Sequence, residues 1–268
     1  MSFRLTERDR ELLALLYCHR LVLARQLVAL GFFGSLVRCN ARLRRLRETG
    51  YLLKAFVPSV KGTQAVHRVS KKAARIVAEE TGLDIEEVRR TAARGFSLLQ
   101  LEHCVRTTDL RSQCERDGKS LGIETEWTAE TLCRHEYSVR RGDGWQKRVF
   151  KPDGLLRLIN EASSQTFFVE VDLGTVSHKR FSEKVQSYCQ YTGEVFQETY
   201  GEESFSVLVV TTGERRLTRL ASLVKDGAPQ LLFTTHEELK RSSVFDPVWT
   251  EPGSDERVPL LDAEEVPQ

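Results

Sequence analysis

No stretch of this 268-residue chain reaches the ~18 consecutive apolar residues of a membrane span, and the N-terminus has no apolar signal region. These absences exclude a helical membrane protein and lead to the expectation of a cytoplasmic chain with no membrane partner. No internal repeat or low-complexity segment occurs. The six cysteines, at 18, 39, 104, 114, 133 and 189, contain no C-x-x-C pair. Cys133 and His135 stand two apart, but no second pair lies at ligand spacing, so a zinc site is set aside and the thiols are expected to be reduced and mostly buried.

What the chain does have is charge, unevenly divided. Residues 1–75 carry sixteen Lys and Arg against four Asp and Glu, a net +12, so the formal total of +2 leaves −10 for the remainder. A basic first third is the electrostatic footprint of a surface that neutralises phosphates, and the division favours two domains.

The basic part opens on LTERDRELLALLYCHR. Thr6 is suited to N-capping, Glu7, Asp9 and Glu11 complement the helix dipole, and Leu12, Leu13, Leu15 and Leu16 form a buried stripe. A second short helix is expected from Val22 to Ala29. The third, over 35–49, ends at Gly50, a natural left-handed C-cap. Its residues Leu36, Cys39, Leu43 and Leu46 recur at helical spacing, which leaves Arg38, Asn40, Arg42, Arg44, Arg45 and Arg47 on or beside the outer faces. YLLKAFVP and AVHRVS then read as two strands joined by a turn at Lys61 and Gly62.

Three helices and a hairpin with a basic tip is the order of a winged helix-turn-helix, in which the third helix enters the major groove and Arg pairs with guanine. Arg38, Asn40, Arg42 and Arg45 are the candidate groove contacts, and Lys61 the wing contact, on double-stranded DNA. Winged helices also dock proteins, and that alternative stays open. SKKAARIVAEETG closes this domain at 1–82 and a connecting helix follows over 83–96.

A long helix is expected from Ser97 to Asp117, with Glu102 and His103 near its start; residues 120–150 alternate irregularly. VFKPDGLLRLI and QTFFVEVDL read as strands, RFSEKVQSYCQYTG as a helix, FSVLVVTT as a buried strand, ERRLTRLASLV as a helix and QLLFTT as a last strand. The fold class is therefore α/β (α+β), with the second domain at 97–240. Residues 241–268, rich in proline and acid, are expected to form a flexible tail.

Chemistry concentrates in KPDG at 151–154 and FFVEVDLGT at 167–175. Residues two apart share a strand face, so Glu170 and Asp172 are expected to project together, with Val169 and Val171 toward the core. Asp153, Glu170 and Asp172 would then offer hard oxygen ligands to Mg²⁺ or Mn²⁺. In the structural alternative Asp153 caps a turn, and Glu170 and Asp172 form salt bridges with Lys179 or Lys184. In both cases Glu170 and Lys184 should lie close.

Pro152, Asp153 and Glu170, followed by a helix, resemble the PD-(D/E)XK (restriction endonuclease-like) fold. Lys184 and Tyr188 are similar to the Gln-x-x-x-Tyr motif of its exonuclease branch. Asp172 stands where those enzymes usually carry lysine. If the site is catalytic, the resemblance implies Asp153, Glu170 and Asp172 as metal ligands, Lys184 in place of the absent lysine, and Glu102, His103 and Tyr188 as accessory groups.

Taken together, LTERDRELL, RLRRLRETGYL, PDG, FVEVDLGT and K-x-x-x-Y resemble the replication-relaxation family of plasmids and mobile elements over most of residues 4–235. The resemblance implies a DNA-binding winged helix joined to a nuclease-like domain, either active or degenerate and kept as scaffold, acting with replication or mobile-element proteins in DNA replication or its control. A metal-dependent DNA endonuclease is one alternative, and a transcriptional regulator whose body mediates dimerisation is another. A palindromic site would require two heads, and hence a homodimer.

Overall fold

The computed structural model describes residues 3–59, 62–142, 144–160, 164–191, 194–225 and 227–261. They form two units, residues 1–112 and 113–268. No helix among the described residues is long and apolar enough to cross a membrane.

In the first unit, α1 (Glu7–Cys18) is fixed at its start by a reciprocal capping box between Thr6 and Asp9. β1 (Val22–Leu23) leads directly into α2 (Ala24–Ala29), and α3 (Leu36–Glu48) is capped by Ser35. Thr49 ends that helix and Gly50 follows at φ 81°, a left-handed conformation that glycine adopts without steric cost. β2 (Leu52–Ser59) and β3 (Gly62–Val69) form an antiparallel hairpin, and β1 adds to β3 to give the order β1-β3-β2. Lys61 lies outside the described residues.

The expected helix over 22–29 is thus in part strand. Val22 and Leu23 pair with His67 and Val66, a long-range ladder that local periodicity does not report. Leu36, assigned to the packing stripe, is about half exposed, whereas Cys39, Leu43 and Leu46 are buried.

A single 3₁₀ turn (Lys71–Ala73) precedes α4 (Ala74–Thr81), α5 (Ile85–Ala93) and α6 (Leu98–Ser120). The division between the units falls within α6, not at 82 or 97 as expected. Two observations explain this. Val88 and Ala92 of α5 are buried, and Gln26 donates to the carbonyl of Val105 (2.9 Å) and to Asp109 (2.7 Å), which ties the start of α6 to α2.

The second unit contains β4 (Glu124–Ala129), α7 (Glu130–Cys133), β5 (His135–Arg141), β6 (Gly144–Phe150), β7 (Gly154–Ile159), β8 (Ser164–Val171), α8 (His178–Tyr191) and α9 (Glu194–Tyr200). β9 (Ser206–Thr211), α10 (Glu214–Ala221), β10 (Leu231–Thr235), α11 (His236–Leu239), β11 (Trp249–Thr250) and β12 (Arg257–Val258) complete it. The seven-stranded sheet has the order β12-β11-β10-β9-β8-β7-β4, while β5 and β6 form a separate two-stranded ribbon. β7 is antiparallel to both β4 and β8; β8, β9 and β10 run parallel. Helix, three strands in antiparallel pairs, helix and a parallel fourth strand give the mixed α/β order expected from the sequence.

VFKPDGLLRLI is not one strand. Pro152 has no N–H to continue a ladder, so β6 ends at Phe150 in the ribbon and β7 begins at Gly154 in the main sheet. Gly154 sits under the Trp127 ring of the neighbouring strand, where an added Cβ would come within 2.6 Å of the indole. The core on one side of β8 is aromatic: Phe168 lies 4.8 Å edge-on to both Phe150 and Phe205.

Residues 241–261 of the expected flexible tail are folded, and 262–268 lie outside the described residues. Val244, Phe245, Val248 and Trp249 are buried, and β11 and β12 extend the main sheet beyond β10. Gln113 donates to the carbonyls of Leu239 and Ser242 at 2.7 and 2.9 Å, and Asp117 accepts from the Val244 N–H at 3.1 Å. The proline and acid content hid these few apolar anchors, and strands of two residues have no period to read.

Candidate functional site

Asp153 follows Pro152 at the mouth of β7. Its N–H donates to the carbonyl of Val169 (3.0 Å), and its carboxylate accepts from the N–H of Val171 (2.8 Å), so one oxygen serves as a continuation of the β7–β8 ladder. The other oxygen lies 3.9 Å from Lys184 Nζ. Lys184 and Tyr188, one turn apart on α8, both bond to Glu170 of β8: the ammonium to Oε2 and the phenol to Oε1. β8 is covered on both faces at this point, so Glu170 is buried like the valines beside it.

Burial pushes the Glu170 carboxyl up to about 8, against the opposing pull of the Lys184 ammonium and the hydrogen bonds from Lys184 and Tyr188. Burial would lower Lys184, but Asp153 and Glu170 outweigh it and hold the ammonium above its ordinary value. Tyr188 is raised by burial and by the neighbouring carboxylates.

Asp172 does not join this group. It lies one residue beyond the end of β8, and its N–H donates to the carbonyl of Val210 at 2.9 Å. Its carboxylate accepts from Thr211 (2.6 Å) and from Arg216 of α10 at both oxygens (2.9 and 3.1 Å). Burial opposes ionisation of Asp172, yet these bonds hold its carboxyl below the usual range.

The expected trio of Asp153, Glu170 and Asp172 is therefore not formed. Among the described residues no three His, Cys, Asp or Glu side chains converge as a metal-ligand set. The residues do not fit a Mg²⁺ or Mn²⁺ centre of that kind: the third acid is neutralised by a guanidinium, and Lys184 pairs with the other two. What remains is a closed cluster of two carboxylates, one ammonium and one phenol. Glu102 and His103 belong to the first unit, not to the one that holds these carboxylates. Glu102 is exposed, 3.7 Å from Arg106 one turn along α6.

Within the first unit, α3 divides its arginines into two kinds. Arg38, Asn40, Arg44, Arg45 and Arg47 are exposed. Arg42 is turned inward to Asp9, which is wholly inaccessible to solvent: Nε donates to Oδ1 at 2.7 Å, and Nη2 bonds to Oδ2 and to the carbonyl of Arg4. Its guanidinium also lies 4.9 Å over the Phe3 ring. Burial would raise Asp9, but the bonds from Arg42 and Thr6 leave its carboxyl lowered. Arg42, expected as a groove contact, is thus the internal partner of a buried acid.

Sequence reasoning missed Arg216, which stood within an expected helix with no role assigned and lies 44 residues from Asp172. It also missed the pairing of Asp9, taken as a dipole complement alone. The capping-box spacing of Thr6 and Asp9 was the available signal, since it fixes the carboxylate at the first turn.

Among solved structures, the chain is similar to the restriction endonuclease FokI at 13% identity over 89% of this chain and 44% of that one, with a TM-score of 0.27. A second match is to the structure of FokI bound to DNA, at 9% identity over 73% of this chain and 55% of that one, with a TM-score of 0.23. The chain thus spans about half the length of the FokI chains it matches. No curated protein matches. The replication-relaxation family model matches residues 13–204, well over half of the chain, so the chain belongs to the replication-relaxation family.

Proposed function

We propose that this chain is a DNA-binding protein acting in replication, or its control, on a plasmid or other mobile element. Its first unit engages duplex DNA as a winged helix-turn-helix. The observation that carries this reading is the outer face of α3, which presents Arg38, Asn40, Arg44, Arg45 and Arg47 to solvent on a helix held by Cys39, Leu43 and Leu46. A helix so placed can lie in the major groove, where arginine pairs bidentately with guanine and the remaining guanidinium groups displace counterions from phosphate. The β2–β3 hairpin follows in the position of a wing. Arg42 contributes by holding α3 to α1.

In this reading the second unit is a nuclease-like scaffold whose former site is closed. Lys184 supplies positive charge to Asp153 and hydrogen-bonds the Glu170 carboxyl, and Arg216 supplies positive charge to Asp172. Metal-dependent cleavage competes with this reading because Asp153, Glu170 and Lys184 are still grouped together. It would require Lys184 to leave its place and Glu170 to ionise.

The test is incubation of the purified protein with supercoiled, linear and single-stranded DNA, with Mg²⁺, Mn²⁺ or chelator, beside an Asp153→Ala, Glu170→Ala double variant checked for folding. Retention of DNA without cleavage is expected. Metal-dependent nicking that the double variant lacks would make the second unit an endonuclease. Sequencing of the bound DNA then separates an origin or transfer site from a promoter, and a promoter would favour a transcriptional regulator.

A further inference from the structure

The ribbon formed by β5 and β6 has one face that the fold uses and one that it does not. On the inner face Tyr137 and Phe150 are buried, and the Phe150 ring stacks on Tyr191 of α8 at 3.9 Å and 3°. Tyr137 meets the same Tyr191 edge-on at 5.4 Å. These contacts anchor a hairpin that would be marginal alone. The register places Arg140 opposite Trp145, Ser138 opposite Lys147 and Glu136 opposite Val149, so these six side chains share the other face.

All six are exposed, and Trp145 is 76% accessible. Glu136, the carboxylate of this set, already accepts from Arg134 at 2.7 Å. The face therefore offers an indole with a guanidinium directly across the ribbon and an ammonium two residues along the same strand, about 7 Å away.

We infer that this face binds single-stranded nucleic acid, with an unpaired base stacked on Trp145 and the flanking phosphates held by Arg140 and Lys147. The inference rests on the nucleic-acid reading above and deepens it by giving the second unit a ligand of its own. Both halves of the chemistry are present. An exposed indole loses water to a base face of any sequence, and two cations fixed on a ribbon follow the backbone. The buried core of a protein interface is apolar, whereas Trp145 shares its face with one apolar side chain, Val149, and with Arg140, Lys147, Ser138 and Glu136. A duplex offers no unstacked base to the indole.

The geometry supplies its own probe. Of the three tryptophans Trp249 is fully buried and Trp127 partly so, which leaves Trp145 as the one open to a ligand. The experiment titrates the full chain with an oligothymidylate and with a duplex of equal length. It follows tryptophan emission, corrected by a Trp145→Phe variant, and the anisotropy of the labelled DNA.

The expected result is quenching of the Trp145 component by the single strand and not by the duplex. Trp145→Ala should bind the single strand about 5- to 150-fold more weakly, as for the loss of one base–aromatic stack, and Trp145→Phe should retain most of the affinity. Replacing both Arg140 and Lys147 by Ala should lower the salt slope by about 0.7 for each phosphate released. Unchanged emission while anisotropy reports bound single strand would overturn the inference, as would full single-strand affinity in folded Trp145→Ala. Equal quenching by duplex would overturn the single-strand assignment. Absence of duplex binding by anisotropy, with Trp145 quenching by the single strand intact, would sink the α3 reading alone.

Discussion

Arg216 holds Asp172 at both carboxylate oxygens, Nε to Oδ2 at 2.9 Å and Nη2 to Oδ1 at 3.1 Å, while its Nη2 also donates to the carbonyl of Val176 at 2.5 Å. One side chain of α10 thus fixes both the acid and the segment that follows β8. Removing the guanidinium leaves a buried carboxylate with Thr211 as its remaining side-chain donor. Arg216→Ala should lower the unfolding free energy by about 3 kcal/mol, the cost of breaking a buried pair. Arg216→Lys should recover only part of it, because a single ammonium cannot reproduce the two-point contact. Denaturant unfolding of the two variants checks this, and a Lys variant as stable as the parent would contradict it.

The Glu170 cluster should make stability fall as pH rises through neutrality. Glu170 is raised in the folded chain to about 8 from an ordinary 4.5, so the folded state holds the extra proton between those values. Its contribution is complete below pH 4.5 and lost on rising through pH 8. The Lys184 contribution is constant over that window, because both its folded and unfolded values lie above it. His19 and His67 act in the opposite sense: burial lowers them to about 3 and 4, so their cost to the folded state disappears as pH rises to 6.5. Thermal unfolding of the parent minus that of Glu170→Gln, followed from about pH 5 to about pH 8, isolates the Glu170 slope. A flat difference would count against a raised carboxyl.

Arg42 and the nearby pair Arg44 and Arg45 on α3 should behave as different kinds of residue. Arg42→Ala strands Asp9 and should destabilise the chain by about 3 kcal/mol. Arg44→Ala with Arg45→Ala should leave stability within about 0.5 kcal/mol. The double variant should instead weaken duplex binding and lower its salt slope by about 0.9 for each phosphate no longer neutralised. Parallel melting and titration measurements separate the two effects, and a stable Arg42→Ala chain with impaired binding would restore Arg42 to the groove.

Gly154→Ala should be costly although the change adds one methyl group. The added Cβ would meet the Trp127 ring at 2.6 Å, so strand β7 or the indole must shift, at about 1–3 kcal/mol. Trp127→Leu, which clears the space, should make Gly154→Ala better tolerated. A double-variant cycle measures that coupling, and strict additivity would place the strain elsewhere.

Much of the chain was legible from local rules. Thr6 caps where a short polar residue should, Gly50 closes α3 through its positive φ, and α3 carries its exposed arginines away from Cys39, Leu43 and Leu46. The helical spacing of Lys184 and Tyr188 brought both to Glu170. These features depend on residues within a turn or two of each other, and a linear pattern records such neighbours directly. The ribbon of β5 and β6 was less legible, because one of its faces is buried against Tyr191 and the other carries Trp145 into solvent.

The sequence by itself determined the basic head, the α/β order of the body and the chemical types available at the site. The tertiary structure decided which of those types meet. Arg42 and Arg45 are equivalent in sequence, but only Arg42 meets Asp9, because that residue of α1, 33 positions back along the chain, lies on that side of α3. Glu170 and Asp172 would share a face for as long as the strand continued. β8 ends at Val171, and beyond it the partner is chosen by proximity to Thr211 and Arg216 rather than by alternation. A buried charge must find its counterion wherever the packed fold provides one, and that choice is made across space, not along the chain.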